Sequence, residues 1–313
     1  MKLSTYFLLA TCFFLKVQAA PHWPHIVEEI LQDPKQHHLT PISGGASNVN
    51  YHLILDESHY FVRFAPKTTK TLYADFLTEY EVLKQIEDLE ISSKPIYYDE
   101  EKRILITDFI QNDQKTINLL DPATRKKVIE LLHKIENSKA SISRTFHPYE
   151  DVLQLMEVHA SPKEYFTCFL PRLKRIDAVL SKKPKKSLCH LDLHSKNILR
   201  DFDRFWIVDW EYATMSHPFL VLASMASIER WDDEQMEQLL NDYIASPSKE
   251  DWYRLYLYRI VADIFWTVWN EAQIHYSMID SPYAIWGRLF LDAAKQRLHS
   301  PRFLEAMAYL ENN

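Results

Sequence analysis

Glycine is nearly missing from this sequence, with three residues in 313 where about 7% would be ordinary. There is no internal repeat, no low-complexity linker and no P-loop pattern G-x-x-x-x-G-K-[ST]. Cysteine is as rare: Cys12, Cys168 and Cys189 have no metal-ligand spacing and form no disulfide framework. Positive charge is also short, since 36 basic against 43 acidic residues leave a formal net charge of −7. That balance argues against a phosphate-backbone partner, so no nucleic acid is expected. The one basic run, Lys182, Lys183, Lys185 and Lys186 around Pro184, reads as a solvated loop. Long apolar runs are lacking as well, and no membrane insertion is expected. The stretch Tyr6–Leu15 is too short for a transmembrane helix. With Lys2 before it and Ala19 and Ala20 after it, residues 1–20 read as a signal peptide.

What is there looks like an ordinary globular chain, 47% hydrophobic and 25% charged, with 13% aromatic residues. Residues 24–33 carry an amphipathic helical pattern. "YHLIL" (51–55) and "YFVRF" (60–64) are β-rich and separated by "DESH", a hairpin. Leu72, Phe76, Leu77, Tyr80, Leu83 and Ile86 recur at helical spacing, and "KPIYYDEEKRILITDFI" reads as two further strands. Residues 21–110 are thus expected to form a small sheet with one helix, and residues 111–313 a larger helical part. Asp121 followed by Pro122 marks a helix start. Long helical patterns run through 150–180 and 232–313, interrupted by one β-rich island at 187–213. The fold class expected is α+β.

The island holds the chemistry. "HLDLHSKN" sets His190, Asp192 and Asn197 in the pattern H-x-D-x-x-x-x-N, and the strand of "FWIVDWE" delivers Asp209 at its end. Phosphoryl transfer needs a carboxylate to orient the attacking hydroxyl and take its proton. It also needs oxygen ligands to hold Mg2+ on the phosphates. An Asn-plus-Asp pair suits a hard cation and does not suit zinc.

H-x-D-x-x-x-x-N followed by an apolar strand and D-x-E resembles the catalytic core of the aminoglycoside phosphotransferase and choline kinase superfamily. The resemblance covers the chain from about residue 38 onward. It implies a bilobal protein-kinase-like fold, a small β-rich N-lobe and a larger helical C-lobe, with ATP and Mg2+ as cofactors. By analogy Asp192 is the catalytic base, and Asn197 and Asp209 are the metal ligands. Gly44 and Gly45, adjacent in "PISGGASNVN", would let backbone approach the ATP phosphates, with Ser47 and Asn48 adding hydrogen bonds. Arg63 in "FVRF" would contact the α- and β-phosphates, as in the choline kinase branch. Its partner would be Glu79 by spacing, with Glu81 the alternative. Backbone from Asp108 to Ile110 would meet adenine. His190 reads as structural.

Trp266 and Trp269 lie three apart on a helical pattern, which by periodicity alone reads as core. The resemblance gives them, with Tyr212, to a pocket for a quaternary ammonium group, held by cation–π attraction. The segment after D-W-E-Y, "ATMSHPFLVLAS", lacks the acidic residue of an Asp-Leu-Ala run found in related kinases. The expected partner is a small cationic alcohol: choline or ethanolamine first, thiamine second. ATP use favours the cytoplasm. The signal-like start keeps a third reading open, an exported, non-catalytic binder of quaternary amines.

Overall fold

Residues 22–32, 38–42, 48–65, 73–157, 166, 169–183, 185–277 and 279–313 are described by the computed structural model. The signal-like segment 1–20, Leu72, Gly44, Gly45 and Ser47 lie outside them. Five short segments form an antiparallel sheet of order β1-β2-β3-β5-β4. The strands are β1 (His38–Ile42), β2 (Val49–Leu55), β3 (Ser58–Phe64), β4 (Pro95–Asp99) and β5 (Ile104–Asp108). The β2–β3 turn is tighter than "DESH" suggests. Leu55 pairs with Ser58, and Asp56 takes φ 53, a left-handed position that Asp tolerates better than most residues.

The two faces of the sheet have different tasks. Leu53, Val62, Ile104 and Ile106 face the helix α1 (Trp23–Gln32) and form a small core with Trp23, Val27 and Ile30. The next residue of β3, Arg63, points the other way and meets α2 (Phe76–Ile86), as the period of two requires. Asp75 caps α2 by accepting from Leu77 N–H at 3.2 Å. Phe76, Leu83 and Ile86 are buried as their spacing predicts, whereas Leu77 is exposed. The buried face of α2 includes Glu79, because the group opposite it is a guanidinium.

The remainder is mostly helical. Asp121 caps α3 (Pro122–Asn137) by accepting from Thr124 N–H at 2.8 Å, with Pro122 in the first turn. Of the pattern at 150–180, the described residues include α4 (Pro148–Glu157) and α5 (Leu170–Leu180). The stretch 232–313 divides into α7 (Asp233–Tyr243), α8 (Lys249–Tyr276), α9 (Tyr283–Leu298) and α10 (Pro301–Asn312), after α6 (Phe219–Ile228). The breaks before α8, α9 and α10 each contain a Ser-Pro pair. Helix α8 is the axle of this part, at about 1.5 Å per residue roughly 42 Å long, and it is buried almost continuously from Tyr253 to Gln273. Its Asp263 has no exposed surface and accepts from Arg259 at 3.0 Å, Arg297 at 3.2 Å and the Ser227 hydroxyl.

The β-rich island becomes two small antiparallel pairs, β6 (Ser187–Cys189) with β9 (Thr214–Ser216), and β7 (Ile198–Asp201) with β8 (Arg204–Ile207). Lysines of the basic run form local pairs: Lys182 donates to the Leu310 and Glu311 carbonyls at 3.1 and 2.6 Å, Lys183 pairs with Glu250, and Lys185 with Glu136. Among the described residues, no helix is long and apolar enough to cross a membrane. Asp263→Ala leaves Arg259 buried without its carboxylate, and the expected loss is about 3–5 kcal/mol, read as a lowered urea midpoint with an unchanged slope. Asp121→Ala, which removes only a cap, should cost about 1 kcal/mol in the same assay.

Candidate active site

Strand β6 runs straight into the loop that carries Asp192. The Asp192 N–H donates to the His190 carbonyl at 2.8 Å, closing a three-residue turn on Leu191 at φ 61. A branched residue held there stores about 1–3 kcal/mol, so the surroundings must hold it. His190 supplies one restraint: its Nε2–H donates to the Val208 carbonyl at 2.9 Å, beside Asp209. Burial lowers the His190 pKa to about 4, so the ring is neutral. Asn197 supplies another, its Nδ2 donating to the Asp192 carbonyl at 2.9 Å and to Asp192 Oδ2 at 3.3 Å. The amide oxygen of Asn197 is therefore the atom left to coordinate. Val208 N–H donates to the Asn197 carbonyl at 3.0 Å, which ties the β7–β8 hairpin to this loop. His194 sits close by, with Nε2 4.0 Å from Asp192 Oδ1, and burial takes its pKa to about 4.

Asp209 follows β8 in a left-handed conformation, φ 71 and ψ 59, which turns its carboxylate toward the sheet. Arg63 reaches it from β3: Nη2 donates to Asp209 Oδ1 at 2.7 Å, while Nη1 donates to Glu79. Glu79 is the partner and Glu81 is exposed on the helix surface. Glu79 Oε1 also accepts from Trp210 N–H at 3.3 Å. Glu211, which the sequence reading left out of the site, lies 3.5 Å from Arg63 Nη2 and accepts from Asn48 Nδ2 at 2.7 Å. Its signal was the last letter of D-W-E, two residues past Asp209 on a single 3-10 turn, Trp210–Tyr212. Oxygens of Glu79, Asp209 and Glu211 lie within 4.8 Å of one another.

The charges there are unbalanced. Burial pulls the Arg63 guanidinium down, but the charges of Asp209, Glu79 and Glu211 outweigh it and keep the group firmly protonated. Burial lifts Glu79 to about 7 against the pull of Arg63, and lifts Glu211 to about 8, helped by the Asp209 charge. Asp192 is raised well above the ordinary carboxylate range by burial first, then by Asp209 and Glu211. Three carboxylates around one guanidinium, with a fourth nearby, form a cluster of hard oxygen donors.

Tyr212, Trp266 and Trp269 converge, with centroid separations of 5.8, 6.1 and 5.5 Å and rings steeply inclined to one another. Trp269 Nε1–H donates to Tyr212 Oη at 2.9 Å. All three are at most 5% exposed, so they are core residues as well as neighbours of the Asp209–Glu211 turn. Tyr283 of α9 adds a fourth ring 6.0 Å from Trp269. No local pattern marks it, because it joins the group only through the packing of α9 on α8. At the other end of the site, Asp108 turns back on β4: its N–H donates to the Lys94 carbonyl at 3.0 Å and its carboxylate accepts from Lys94 N–H. Phe109 N–H donates to the His59 carbonyl at 3.1 Å, and its ring stacks on His52 at 4.0 Å. Ile110 is half-buried beside them, its carbonyl accepting from Asn112 at 3.2 Å.

A five-stranded sheet over a helical body, with Arg63 clamped between Glu79 and Asp209, is a protein-kinase-like fold with an APH-type arrangement. The chain belongs to the phosphotransferase enzyme family, which it matches over residues 38–258. It is similar to a choline/ethanolamine kinase family protein from Mesorhizobium loti, with TM-score 0.73 and 19% identity over 93% of this chain and 99% of that one. Choline kinase LicA from Streptococcus pneumoniae shares the fold at TM-score 0.72 and 22% identity, over 90% of this chain and all of that one. Another LicA structure of the same fold holds AMP. By sequence the chain is 28% identical to thiamine kinase of Escherichia coli over 67% of its length and 72% of that enzyme.

Arg63→Met isolates the buried Glu79 and Glu211 and the half-buried Asp209, so its cost grows as they ionise. Urea unfolding should show a loss of about 3–5 kcal/mol at pH 8 and a clearly smaller one at pH 6. An equal loss at both values would mean that the cluster stays neutral.

Proposed function

We propose that this protein is an ATP- and Mg2+-dependent kinase that phosphorylates the hydroxyl of choline or a closely related amino-alcohol. The observation that carries this reading is the aromatic cluster of Tyr212, Trp266 and Trp269, set one turn beyond the Asp209–Glu211 carboxylates. Ring faces attract a cation that cannot donate hydrogen bonds, and Tyr283 closes the cluster from α9. An alcohol anchored there by its cation presents its hydroxyl toward Asp192.

Asp192 orients that hydroxyl and receives its proton as the oxygen attacks the γ-phosphate. Burial, and then the carboxylates near it, raise its proton affinity, which suits a group that must accept a proton. Arg63 neutralises charge on the α- and β-phosphates, and Glu79 holds it in place. Gly44, Gly45, Ser47 and Asn48 cover the phosphates. Adenine lies against the hinge, meeting backbone from Asp108 to Ile110. Asn197 and Asp209 would hold Mg2+, with Glu211 a further carboxylate close to Asp209, and oxygen donors suit that ion. Bound Mg2+ supplies charge neutralisation at the phosphate oxygens.

The second reading keeps this chemistry and changes the acceptor to thiamine, which also joins a cationic ring to a primary alcohol. The 28% identity to thiamine kinase favours it. ATP turnover with choline, ethanolamine, thiamine and kanamycin, each measured beside Asp192→Ala, separates the two. Choline-dependent turnover that falls by about 10²–10⁴ in the variant is expected, while turnover with thiamine alone would move the substrate. Trp269→Leu should raise the choline KM by roughly tenfold or more and leave the ATP KM nearly unchanged.

Metal binding should depend on pH in a defined direction. Glu79 and Glu211 have folded pKa values above their unfolded ones, so the folded protein holds more protons between about pH 4.5 and 8. Stability without metal therefore falls as pH rises through that window. Mg2+ competes with those protons, so its thermal stabilisation should be larger at pH 8 than at pH 6. Glu211→Gln should flatten the difference, and a Mg2+ shift independent of pH would count against metal at these carboxylates.

A further inference from the structure

Ser224 lies on α6 with none of its surface exposed. Its hydroxyl donates to the Leu191 carbonyl and receives the Trp266 indole Nε1–H at 2.9 Å. Both directions are forced. An indole N–H only donates and a carbonyl only accepts, so the serine proton must point at Leu191. Helix α6 offers two polar side chains, and the other, Ser227, is held by Asp263. The acidic residue expected near this position is absent, and the segment reads Val221-Leu222-Ala223.

The carbonyl in question belongs to the peptide that joins Leu191 to Asp192, inside the left-handed turn at φ 61. Fixing the plane of that peptide fixes where the Asp192 Cα sits and so restrains the direction in which its side chain leaves the backbone. Trp266 is a wall of the aromatic cluster, in contact with Tyr212 and Trp269. One buried oxygen thus refers the base and the cation wall to each other. We propose that Ser224 is a positioning residue that couples the aromatic pocket to the orientation of Asp192. The proposal rests on the kinase reading above. A cation that reorients the Trp266 indole acts on the same hydroxyl that holds the loop at Leu191.

The test uses the full chain as wild type, Ser224→Ala, Ser224→Thr, Trp266→Phe and the double variant Ser224→Ala with Trp266→Phe. The first readout is the Trp266 indole N–H resonance, assigned by its loss in Trp266→Phe and titrated with choline and thiamine. The second is steady-state kinetics with the accepted alcohol and ATP. Ser224→Ala should shift the indole resonance, lower kcat about tenfold, the size of one buried hydrogen bond, and raise the acceptor KM. The ATP KM should stay within about twofold. Ser224→Thr, which keeps the hydroxyl, should recover most of both. The losses in the double variant should be smaller than the product of the single ones. An indole resonance indifferent to Ser224→Ala, independent losses in the double variant, or a lowered melting temperature with kcat and KM unchanged per folded molecule would each overturn the coupling. If the wild type phosphorylates none of the alcohols, the kinase reading fails on its own. The coupling is then decided by whether the ligand-induced indole shift survives Ser224→Ala: survival overturns it, and loss supports it.

Discussion

A single buried guanidinium holds the site together. Arg63 arrives from the sheet, Glu79 from the helix behind it, and Asp209 and Glu211 from the turn after β8 in the helical part. A buried charge of this kind is tolerable only when its partners are in place, so the sheet and the helical body are registered to each other through it. Asn48 extends the arrangement, because its bond to Glu211 brings the entry of β2 onto the same turn. The cluster has more carboxylate than guanidinium. Burial first, and then this surplus, raises the proton affinity of Asp192, Glu79 and Glu211 together.

The aromatic cluster shows why packing and recognition need not be alternatives. Periodicity assigns Trp266 and Trp269 to the core, and their burial agrees. Yet each indole N–H has a specific acceptor, Ser224 or Tyr212, which fixes ring orientation more tightly than apolar contact does. Rings held that way present defined faces. Helix α8, which carries both, is itself locked by Asp263 one turn earlier, in a pocket of two arginines and a serine.

Much of this was legible in the sequence where the signal is local. The strands at 51–55 and 60–64, the Asp121 cap and the loop of His190, Asp192 and Asn197 depend on neighbours within a few residues. The Arg63–Glu79 pairing could be narrowed to two glutamates, and burial of one face of α2 separated them. The breaks within 232–313 are hard to place from periodicity although Ser-Pro pairs mark several of them, because apolar periodicity continues on both sides. Tyr283 and Ser224 were not legible as members of a site, and Glu211 had only the last letter of D-W-E as its signal. Their partners, Asn48, Trp269 and Leu191, are distant in the chain, and only tertiary packing brings them together. Of the phosphate loop, Asn48 is described, whereas Gly44, Gly45 and Ser47 lie outside the described residues.

The shortage of glycine has a counterpart in the backbone. Ten described residues other than glycine have positive φ, among them Asp56, Glu90, Lys139, Leu191, Phe202 and Asp209. Most proteins would place glycine at several of these turns. Each side chain kept there strains the native state, but it also narrows the range of conformations open to the chain before it folds. These turns therefore set native strain against a stiffer unfolded ensemble.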